Sequence, residues 1–292
     1  MRMHMGHVAL GVTDPDAFST HLQEGLGLRR TLAEPDTVFL SSNEKHHEVQ
    51  VVAADVGALD HVGLEVEDEQ DLERLRDALI AVGAEILSER PEEPGLDKAL
   101  RARGPEELVV EIYTAMEREP LSVEHYMPPL ARRFGHVTLT VQDLEEMEGF
   151  LTRTLGFRVT DEMGGRVSWL RCDTEHHGIA LVRTGASTLH HYAFQFENWS
   201  ALERYADHLA LLGRRLVWGI GRHGPGRNLY AYTPDLENII VEAYADLLHV
   251  ENEATYEPID WSYLGDQALN LWGPPPPPNW RDFGVPLARP AG

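Results

Sequence analysis

The chain has 292 residues, which is enough for two domains of ordinary size, each with its own hydrophobic core. A hydrophobic content of 42% indicates a globular protein, and no apolar run approaches the roughly 20 residues of a membrane-spanning helix. The formal net charge of −23 argues against nucleic acid as a partner, because phosphate backbones are bound by clustered Lys and Arg. The single cysteine, Cys172, excludes an internal disulfide and fits a reducing compartment. We therefore expect a cytoplasmic protein with no membrane segment, and we interpret acidic pairs such as Glu92–Glu93 as solvated.

The first half of the chain shows two successive units of strand, helix and further short strands. Residues 6–12 alternate apolar with small or polar side chains, which predicts a half-buried strand. Asp14 then begins a helix that ends near Gly27, and two short strands follow. At Leu59 the order restarts with a strand, an amphipathic helix and a strand that contains Glu111.

The second half repeats this order at a nearly constant offset. GHVALGV reappears as GHVTLTV, and LDHVGLEVED reappears as LHHYAFQFEN. Such regularity indicates an internal duplication, with two β-α-β-β-β units in each half. The corresponding pairs are His7 and His136, His61 and His191, and Glu111 and Glu242, at offsets of 129, 130 and 131.

We predict an α+β fold in which four βαβββ modules pair into two domains, each a cupped mixed sheet around a central site. The expected boundaries are 1–116 for the first domain, 117–133 for a linker with Pro120, Pro128 and Pro129, and 134–247 for the second domain.

The remaining residues, 248–292, form a tail rich in proline and tryptophan. Trp261, Trp272 and Trp280 surround the five prolines 274–278. Three tryptophans favour burial, so we expect a stiff strap that packs over the second domain, and not a motif that binds a partner from solvent.

Three side chains of the second half are candidate metal ligands. Side chains alternate faces along a strand, so His136, His191 and Glu242 are expected to face inward from neighbouring strands. A carboxylate among Ile and Val is costly to bury unless a cation holds it. Two imidazoles and one carboxylate on one face are typical of a non-heme Fe(II) or Mn(II) site with three open positions. Judged alone, each histidine is better explained as a hydrogen-bonded core residue, but three residues at equivalent positions of duplicated modules favour the metal site.

The motifs around these residues resemble the type I extradiol ring-cleavage dioxygenases of the vicinal oxygen chelate superfamily, and among them the homoprotocatechuate 2,3-dioxygenase branch most. The resemblance spans nearly all of residues 5–280, including the tail phrase LWGPPPPPNW. The motifs are GHVTL, SWLRCDTEHHGIAL, LHHYAF, GRHGPGRNLYAY and IIVEAY. The spacings agree with the family's: 14 residues from His177 to His191, 9 from His223 to Tyr232 and 19 from His223 to Glu242.

This resemblance implies an extradiol dioxygenase that uses Fe(II) or Mn(II) and O₂. Such an enzyme inserts both oxygen atoms into a small aromatic diol and cleaves the ring beside the diol, giving a muconic semialdehyde-type product. The resemblance also implies a homo-oligomer, and the ligand types do not distinguish iron from manganese. The implied metal ligands are His136, His191 and Glu242, the acid/base residue is His177, and the groups that hydrogen-bond the substrate are His223 and Tyr232. Trp169, Trp218 and Asn228 are substrate-binding candidates, with core packing for Trp169 and a turn role for Asn228 as alternatives.

Two pairs of adjacent histidines require a choice. We select His191 because it aligns with His136, and we expect His190 to face the other side of the sheet. We select His177 over His176 from the 14-residue spacing to His191.

The substrate is expected to differ from homoprotocatechuate. Trp218 stands five positions before His223, where that branch carries a basic residue for the substrate carboxylate, and the basic residue expected before Trp272 is absent as well. A buried carboxylate without a cationic partner is disfavoured. We therefore expect a catechol without an acidic side chain, whose apolar or aromatic substituent lies against Trp218. Arg222 and Arg227 are the residues that would instead accommodate an acid.

The first domain keeps the three ligand types in His7, His61 and Glu111, whereas this copy has usually lost them in the family. His47 precedes His61 by 14 residues, but we expect the first domain to lack counterparts of His223 and Tyr232. A second metal site and a set of core histidines are both open interpretations.

Two other functions are compatible with this fold class. One is another metal-dependent enzyme of the same superfamily, such as an isomerase, and the other is a non-catalytic protein that binds a small molecule. The isomerases lack the set of His177, His223 and Tyr232, and a binding protein needs no redox metal.

Overall fold

The computed structural model describes residues 2–121 and 131–287, and the predicted α+β order of four βαβββ modules is confirmed. The first module contains β1 (Met3–Val12), α1 (Pro15–Leu26), β2 (Arg29–Glu34), β3 (Thr37–Ser41) and β4 (Val49–Ala53). The second contains β5 (Ala58–Val66), α2 (Glu69–Ala81), β6 (Glu85–Ser88), β7 (Ala99–Arg103) and β8 (Val109–Tyr113).

The second half repeats the same elements. The third module contains β9 (Arg133–Val141), α3 (Leu144–Gly149), β10 (Arg158–Met163), β11 (Val167–Arg171) and β12 (Ile179–Arg183), and α3 continues as a wider π-helical turn over Phe150–Thr154. The fourth contains β13 (Thr188–Gln195), α4 (Trp199–Leu211), β14 (Trp218–Arg222), β15 (Leu229–Pro234) and β16 (Ile240–Ala245). Two short strands, β17 (Ile259–Asp260) and β18 (Val285–Pro286), belong to the tail.

Local sequence signals determine where the helices begin and end. A side chain before each helix accepts a hydrogen bond from a backbone N–H of the first turn, which satisfies a donor that would otherwise lack a partner. Gly27 follows α1 with a φ of 75°, a left-handed conformation that glycine adopts without strain. None of the helices in the described residues is both long and apolar enough to cross a lipid bilayer. The capping residues are Asp14, Asp68, Asp143 and Asn198.

Over the described residues the strands form two mixed sheets, one of eight strands and one of ten. Their orders are β2-β3-β4-β1-β5-β8-β7-β6 and β14-β15-β16-β13-β9-β12-β11-β10-β17, with β18 paired to β13. In each sheet the first strands of two modules pair antiparallel at the centre, and each also pairs in parallel with the last strand of its own module. The central four strands of each sheet therefore carry the residues that the duplication relates.

The tail contacts the second domain but leaves one tryptophan exposed. Trp261 packs with Met163 and Trp169, while Trp280 packs against the ring of Trp218, at a centroid distance of 5.1 Å. The expectation that all three tryptophans are buried is wrong, because Trp272 is 57% exposed. Its ring lies instead beneath the guanidinium group of Arg222, at 5.2 Å, which is a cation–π contact.

Two further expectations concern the region between the domains. β9 begins at Arg133, one residue before the predicted start of the second domain. Pro128 and Pro129 of the predicted linker lie outside the described residues. Lys45 and Arg118 form an isolated bridge, so the beginning of the predicted linker runs along the first domain.

Candidate active site

Three neighbouring strands bring His136, His191 and Glu242 together. β13 lies between β9 and β16, and its Ala193 is directly opposite both His136 and Glu242. His191 lies two residues before Ala193 on the same strand, so its side chain shares their face. Nε2 of His136 is 3.0 Å from Oε2 of Glu242, and Nε2 of His191 is 3.3 Å from the same oxygen.

The geometry and chemistry of this triad fit a divalent cation. The three ligand atoms lie within 4.8 Å of one another, and all three residues are buried. Two ligand atoms at about 2.1 Å from one ion, and at right angles to each other, are about 3.0 Å apart. Burial alone would raise the pKa of Glu242, but the imidazoles of His136 and His191 hold it well below its usual range. A carboxylate and two imidazole nitrogens therefore converge on one point.

Two successive hydrogen bonds determine the tautomer of His191. Nε2 of His190 donates to the carbonyl oxygen of Trp280 (2.9 Å), so Nδ1 of His190 accepts from Nδ1 of His191 (2.8 Å). This assignment leaves the lone pair of Nε2 of His191 directed toward Glu242. The expectation that His190 faces the other side of the sheet is wrong, because a register shift between Leu189 and His191 breaks the alternation and His190 borders the same cavity.

Asn228 contacts the triad and not the cavity. Its side-chain amide donates to Oε1 of Glu242 at 3.0 Å, which leaves Oε2 for the two histidines. Asn228 is fully buried and is not among the residues that line the cavity, in contrast to its expected contact with substrate. The polar environment of Glu242 explains the difference, since a buried carboxylate needs a donor for each oxygen that holds no cation.

His177 lies beside the triad, with its ring 4.4 Å from that of His136 between centroids. The backbone N–H of Gly226 donates to Nε2 of His176 (3.2 Å), and Oδ2 of Asp161 lies 3.1 Å from the same nitrogen. Nδ1 of His176 therefore carries the proton and donates to Nδ1 of His177 (3.0 Å), which leaves the proton of His177 on Nε2. Burial lowers the pKa of His177 well below its usual value, so its ring is neutral.

His223 and Tyr232 form a hydrogen-bonded pair on another side of the triad. Nδ1 of His223 donates to the carbonyl oxygen of Leu269 in the tail (2.6 Å), so Nε2 accepts from the hydroxyl of Tyr232 (2.9 Å). Nε2 of His223 lies 4.0 Å from Oε1 of Glu242. Burial lowers the pKa of His223 to about 4 and raises that of Tyr232, so both groups are neutral near pH 7.

A cavity of about 810 Å³ opens onto these residues, within the usual range for small-molecule sites. Its wall near the triad is largely apolar and aromatic, with Trp169 also belonging to the packed cluster around Trp261. The ring of Trp218 is stacked nearly parallel on Tyr232, at 7°. The residues of this inner wall include Trp169, Ala180, Val182, Trp218 and Tyr232.

The arginines near the cavity lie at its solvent-exposed rim. Arg166, Arg183 and Arg281 line the cavity and are exposed, and Arg166 pairs with Asp266 at 3.0 Å. Arg222 and Arg227 are not lining residues, because the guanidinium group of Arg222 donates to the carbonyl oxygen of Arg227. They are therefore not placed to bind an acidic substituent.

The first domain contains a second cluster, formed by His7, His61, Glu93 and Glu111. Glu93 was missed in the sequence, where Glu92–Glu93 is interpreted as solvated. The structure corrects this for Glu93, which is 5% exposed, whereas Glu92 remains at the surface. The duplication offset would have revealed it, since Glu93 precedes His223 by 130 positions.

Comparison with known proteins places these observations in a family context. The family model of the Glyoxalase/Bleomycin resistance protein/Dioxygenase superfamily matches residues 4–112 and again residues 133–239. The manganese-dependent 2,3-dihydroxybiphenyl 1,2-dioxygenase of Geobacillus genomosp. 3 is 26% identical over 253 residues, covering 79% of this chain and 80% of the relative. The metapyrocatechase of Pseudomonas sp. (strain CF600) is 27% identical over 282 residues, covering 89% of this chain and 90% of the relative.

Solved structures with the same fold are also found. A variant of homoprotocatechuate 2,3-dioxygenase from Brevibacterium fuscum superimposes with a TM-score of 0.90 at 22% identity, covering 98% of this chain and 82% of that chain. The Mn(II)-bound glyoxalase from Novosphingobium aromaticivorans gives a TM-score of 0.86 at 24% identity, covering 99% of this chain and 96% of that chain. These likenesses confirm the predicted fold of two paired domains.

Proposed function

The chain belongs to the Glyoxalase/Bleomycin resistance protein/Dioxygenase superfamily, and we propose that it is an extradiol dioxygenase that cleaves the ring of a catechol. One observation carries this proposal: His136, His191 and Glu242 converge beside a cavity that His191, Glu242, His177 and the His223–Tyr232 pair line. The names of the relatives at 26% and 27% identity, a dihydroxybiphenyl dioxygenase and a metapyrocatechase, support the same reaction class.

In this proposal the triad holds Fe(II) or Mn(II), since two imidazoles and a carboxylate accept both ions. When bound, the metal supplies a Lewis-acidic and redox-active centre at which a diol and O₂ meet. Asn228 and His190 keep Glu242 and His191 in the orientation that the metal requires. Such partners of metal ligands contribute to affinity without touching the ion.

The cavity residues act on protons and on substrate position. His177 lines the cavity with its ring proton on Nε2, so it donates this proton to the developing product and recovers one from the diol. The hydroxyl of Tyr232 donates its proton to His223, so its oxygen is placed to accept a hydrogen bond from a substrate hydroxyl on the opposite side. Positioned groups of this kind act through orientation as well as through proton transfer.

The wall of the cavity favours a catechol with an apolar or aromatic substituent. Trp169 and Trp218 lie near the triad, while the arginines lie at the rim, where water screens their charge. A carboxylate next to Trp218 would be desolvated without a cationic partner, which is costly. We therefore infer that the product is a muconic semialdehyde-type compound with an uncharged substituent.

The test uses the full chain, loaded with Fe(II) or Mn(II) in the absence of air and then mixed with a catechol and isotopically labelled O₂. We expect a yellow ring-fission product that contains both labelled oxygen atoms, with 2,3-dihydroxybiphenyl turned over faster than homoprotocatechuate. His177→Asn should retain the metal but lower turnover by about 10²- to 10⁴-fold. Absence of ring cleavage with every catechol would overturn the reaction class, and a preference for homoprotocatechuate would overturn only the substrate assignment.

A further inference from the structure

The cluster of the first domain brings four ligand atoms together where the second domain brings three. Nε2 of His7 lies 2.9 Å from Nε2 of His61, 3.4 Å from Oε2 of Glu93 and 3.4 Å from Oε2 of Glu111. Nε2 of His61 lies 2.9 Å from Oε1 of Glu93 and 3.7 Å from Oε2 of Glu111. A tetrahedral ion with bonds of about 2.0–2.1 Å separates its ligand atoms by about 3.3–3.4 Å. The five separations, two of which involve different oxygens of Glu93, range from 2.9 to 3.7 Å around that value.

The fourth ligand corresponds in the duplication to His223 of the second domain. Glu93 precedes His223 by 130 positions, and Arg101 precedes Tyr232 by 131. The strand register is also the same, because Arg101 is opposite Glu111 and Tyr232 is opposite Glu242. The neutral pair that faces the cavity in the second domain is thus replaced by a carboxylate and a guanidinium group in the first.

Surrounding residues orient three of the four ligands, His61, Glu93 and Glu111, toward the centre of the cluster. Oδ1 of Asp60 accepts from Nδ1 of His61 at 2.6 Å, which leaves the lone pair of Nε2 facing the cluster. Nε of Arg101 donates to Oε1 of Glu111 at 2.9 Å, while Oε2 of this fully buried carboxylate has no hydrogen-bond donor among the described residues. Nε2 of His47 donates to Oε2 of Glu93 at 3.0 Å. Carboxylate partners of histidine and donors to ligating carboxylates are typical neighbours of bound metal ions.

The charges of the cluster are balanced by a divalent cation. Asp60, Glu93 and Glu111 contribute three negative charges, Arg101 contributes one positive charge, and neutral imidazoles contribute none. A half-exposed Glu92, 3.2 Å from Arg101, adds negative charge at the rim. Burying uncompensated charge is costly, so the arrangement favours added positive charge in its centre, supplied either by a cation or by a proton on His61.

We propose that His7, His61, Glu93 and Glu111 form a closed, four-coordinate site for a divalent cation of the zinc type. Two nitrogen and two oxygen ligands in tetrahedral arrangement suit Zn(II), which has no redox chemistry of its own. The side chains of His7, His61 and Glu111 are 0% exposed, whereas that of His191 in the second domain is 10% exposed. The ion in the first domain therefore stabilises the fold, and it has no open position for a diol or for O₂.

The test counts metal ions in a full chain whose second site is removed, so it does not depend on dioxygenase activity. His136→Ala/His191→Ala protein is freed of metal with a chelator and loaded with Co(II), whose visible absorption is intense in four-coordinate sites. We expect one tightly bound ion per chain, the four-coordinate spectrum and a higher unfolding temperature than in the metal-free form. No bound ion, or a weak six-coordinate spectrum, would overturn the proposal.

Two adjacent residues provide a matched comparison in the same background. Glu93→Gln removes a proposed ligand and should weaken Co(II) binding by at least about 10–100-fold, whereas Glu92→Gln should bind as tightly as the parent. Equal affinity in the two variants would contradict the four-ligand site. If the background variant fails to fold, metal ions are counted in the otherwise unaltered chain and in its His7→Ala/His61→Ala variant. We expect two ions per chain in the former and one in the latter. One ion per chain in both proteins overturns the proposal. The competing arrangement, in which Arg101 and a proton on His61 balance the carboxylates, predicts that outcome.

Discussion

The side-chain amide of Asn228 donates a hydrogen bond of 3.0 Å to Oε1 of Glu242, and the other oxygen of this carboxylate faces His136 and His191. Asn228 thereby gives the two oxygens of Glu242 different partners. One oxygen is held by the protein, and the other is left for the metal.

Asn228→Ala should lower the affinity of the second domain for Fe(II) by about 10–100-fold, because Glu242 loses the donor that orients it. Metal titration of the chelator-treated protein measures this change. Asn252→Ala, which alters an exposed residue in the tail, is the control and should leave the affinity unchanged. Retention of parental affinity in Asn228→Ala would show that the carboxylate needs no such partner.

His190→Phe should weaken metal binding by a similar factor of about 10–100, because His191 loses the acceptor that fixes its tautomer. His190→Gln keeps an acceptor near Nδ1 of His191 and should recover most of the affinity. The comparison of the two variants is made by metal titration, with circular dichroism as the check on folding. Equal loss in both variants would assign His190 to packing alone.

Trp218→Arg should shift the substrate preference toward catechols with a carboxylate. A charge-assisted hydrogen bond contributes about 1.5–3 kcal/mol, so the ratio of kcat/KM for homoprotocatechuate over 2,3-dihydroxybiphenyl should rise by about 10–100-fold. Trp218→Phe removes the indole without adding charge and serves as the control. A ratio that rises equally in both variants would mean that space, and not charge, determines the preference.

Asp235 should make stability depend on pH in an unusual direction. Burial raises the pKa of Asp235 to about 7, although its oxygens accept from the hydroxyl of Tyr192 and from two backbone N–H groups. The unfolded chain releases this proton near pH 4, so the folded state holds the extra proton between about pH 4 and pH 7. The contribution of Asp235 to the free energy of unfolding therefore falls as pH rises through this window.

Asp235→Asn removes that titration, and its stability relative to the parent should increase as pH rises from about 4 to about 7. The difference between the two pKa values corresponds to at most about 4 kcal/mol. Urea unfolding at several pH values measures the change, with the exposed Asp207→Asn as control. A stability difference that does not vary with pH would contradict the raised pKa.

Much of the site was predictable because the internal duplication places equivalent residues on equivalent strands of the two halves. The inward direction of His136, His191 and Glu242 follows from period-two alternation, and the offset of about 130 residues identifies their counterparts in the first domain. Composition alone misled the interpretation of Glu93, since a pair of glutamates in a loop rich in proline is usually solvated. Only the offset from His223 distinguishes it from Glu92.

Other features of the structure could not be predicted from the types of the residues involved. The register shift at His190 reverses the side of the sheet that strict alternation predicts. The carbonyl oxygens of Leu269 and Trp280, which fix two imidazoles, belong to the backbone and would be present whatever residues stood there. Trp272 is exposed because its neighbours are Trp199 and Arg222 at the surface, and no pattern in the tail predicts that contact.

The two carbonyl contacts make the halves of the chain unequal in their dependence on the tail. In the first domain Asp60 orients the adjacent His61, whereas in the second domain His191 and His223 rely on Trp280 and Leu269. A single proteolytic nick within the largely exposed stretch 251–258 would weaken the contacts of the strap, including β17 and β18, while the remaining strands of both sheets stayed paired. The nicked protein would keep its two domains but lose the tail contacts of His190 and His223, so the proposed ring cleavage would be lost well before the domains unfold.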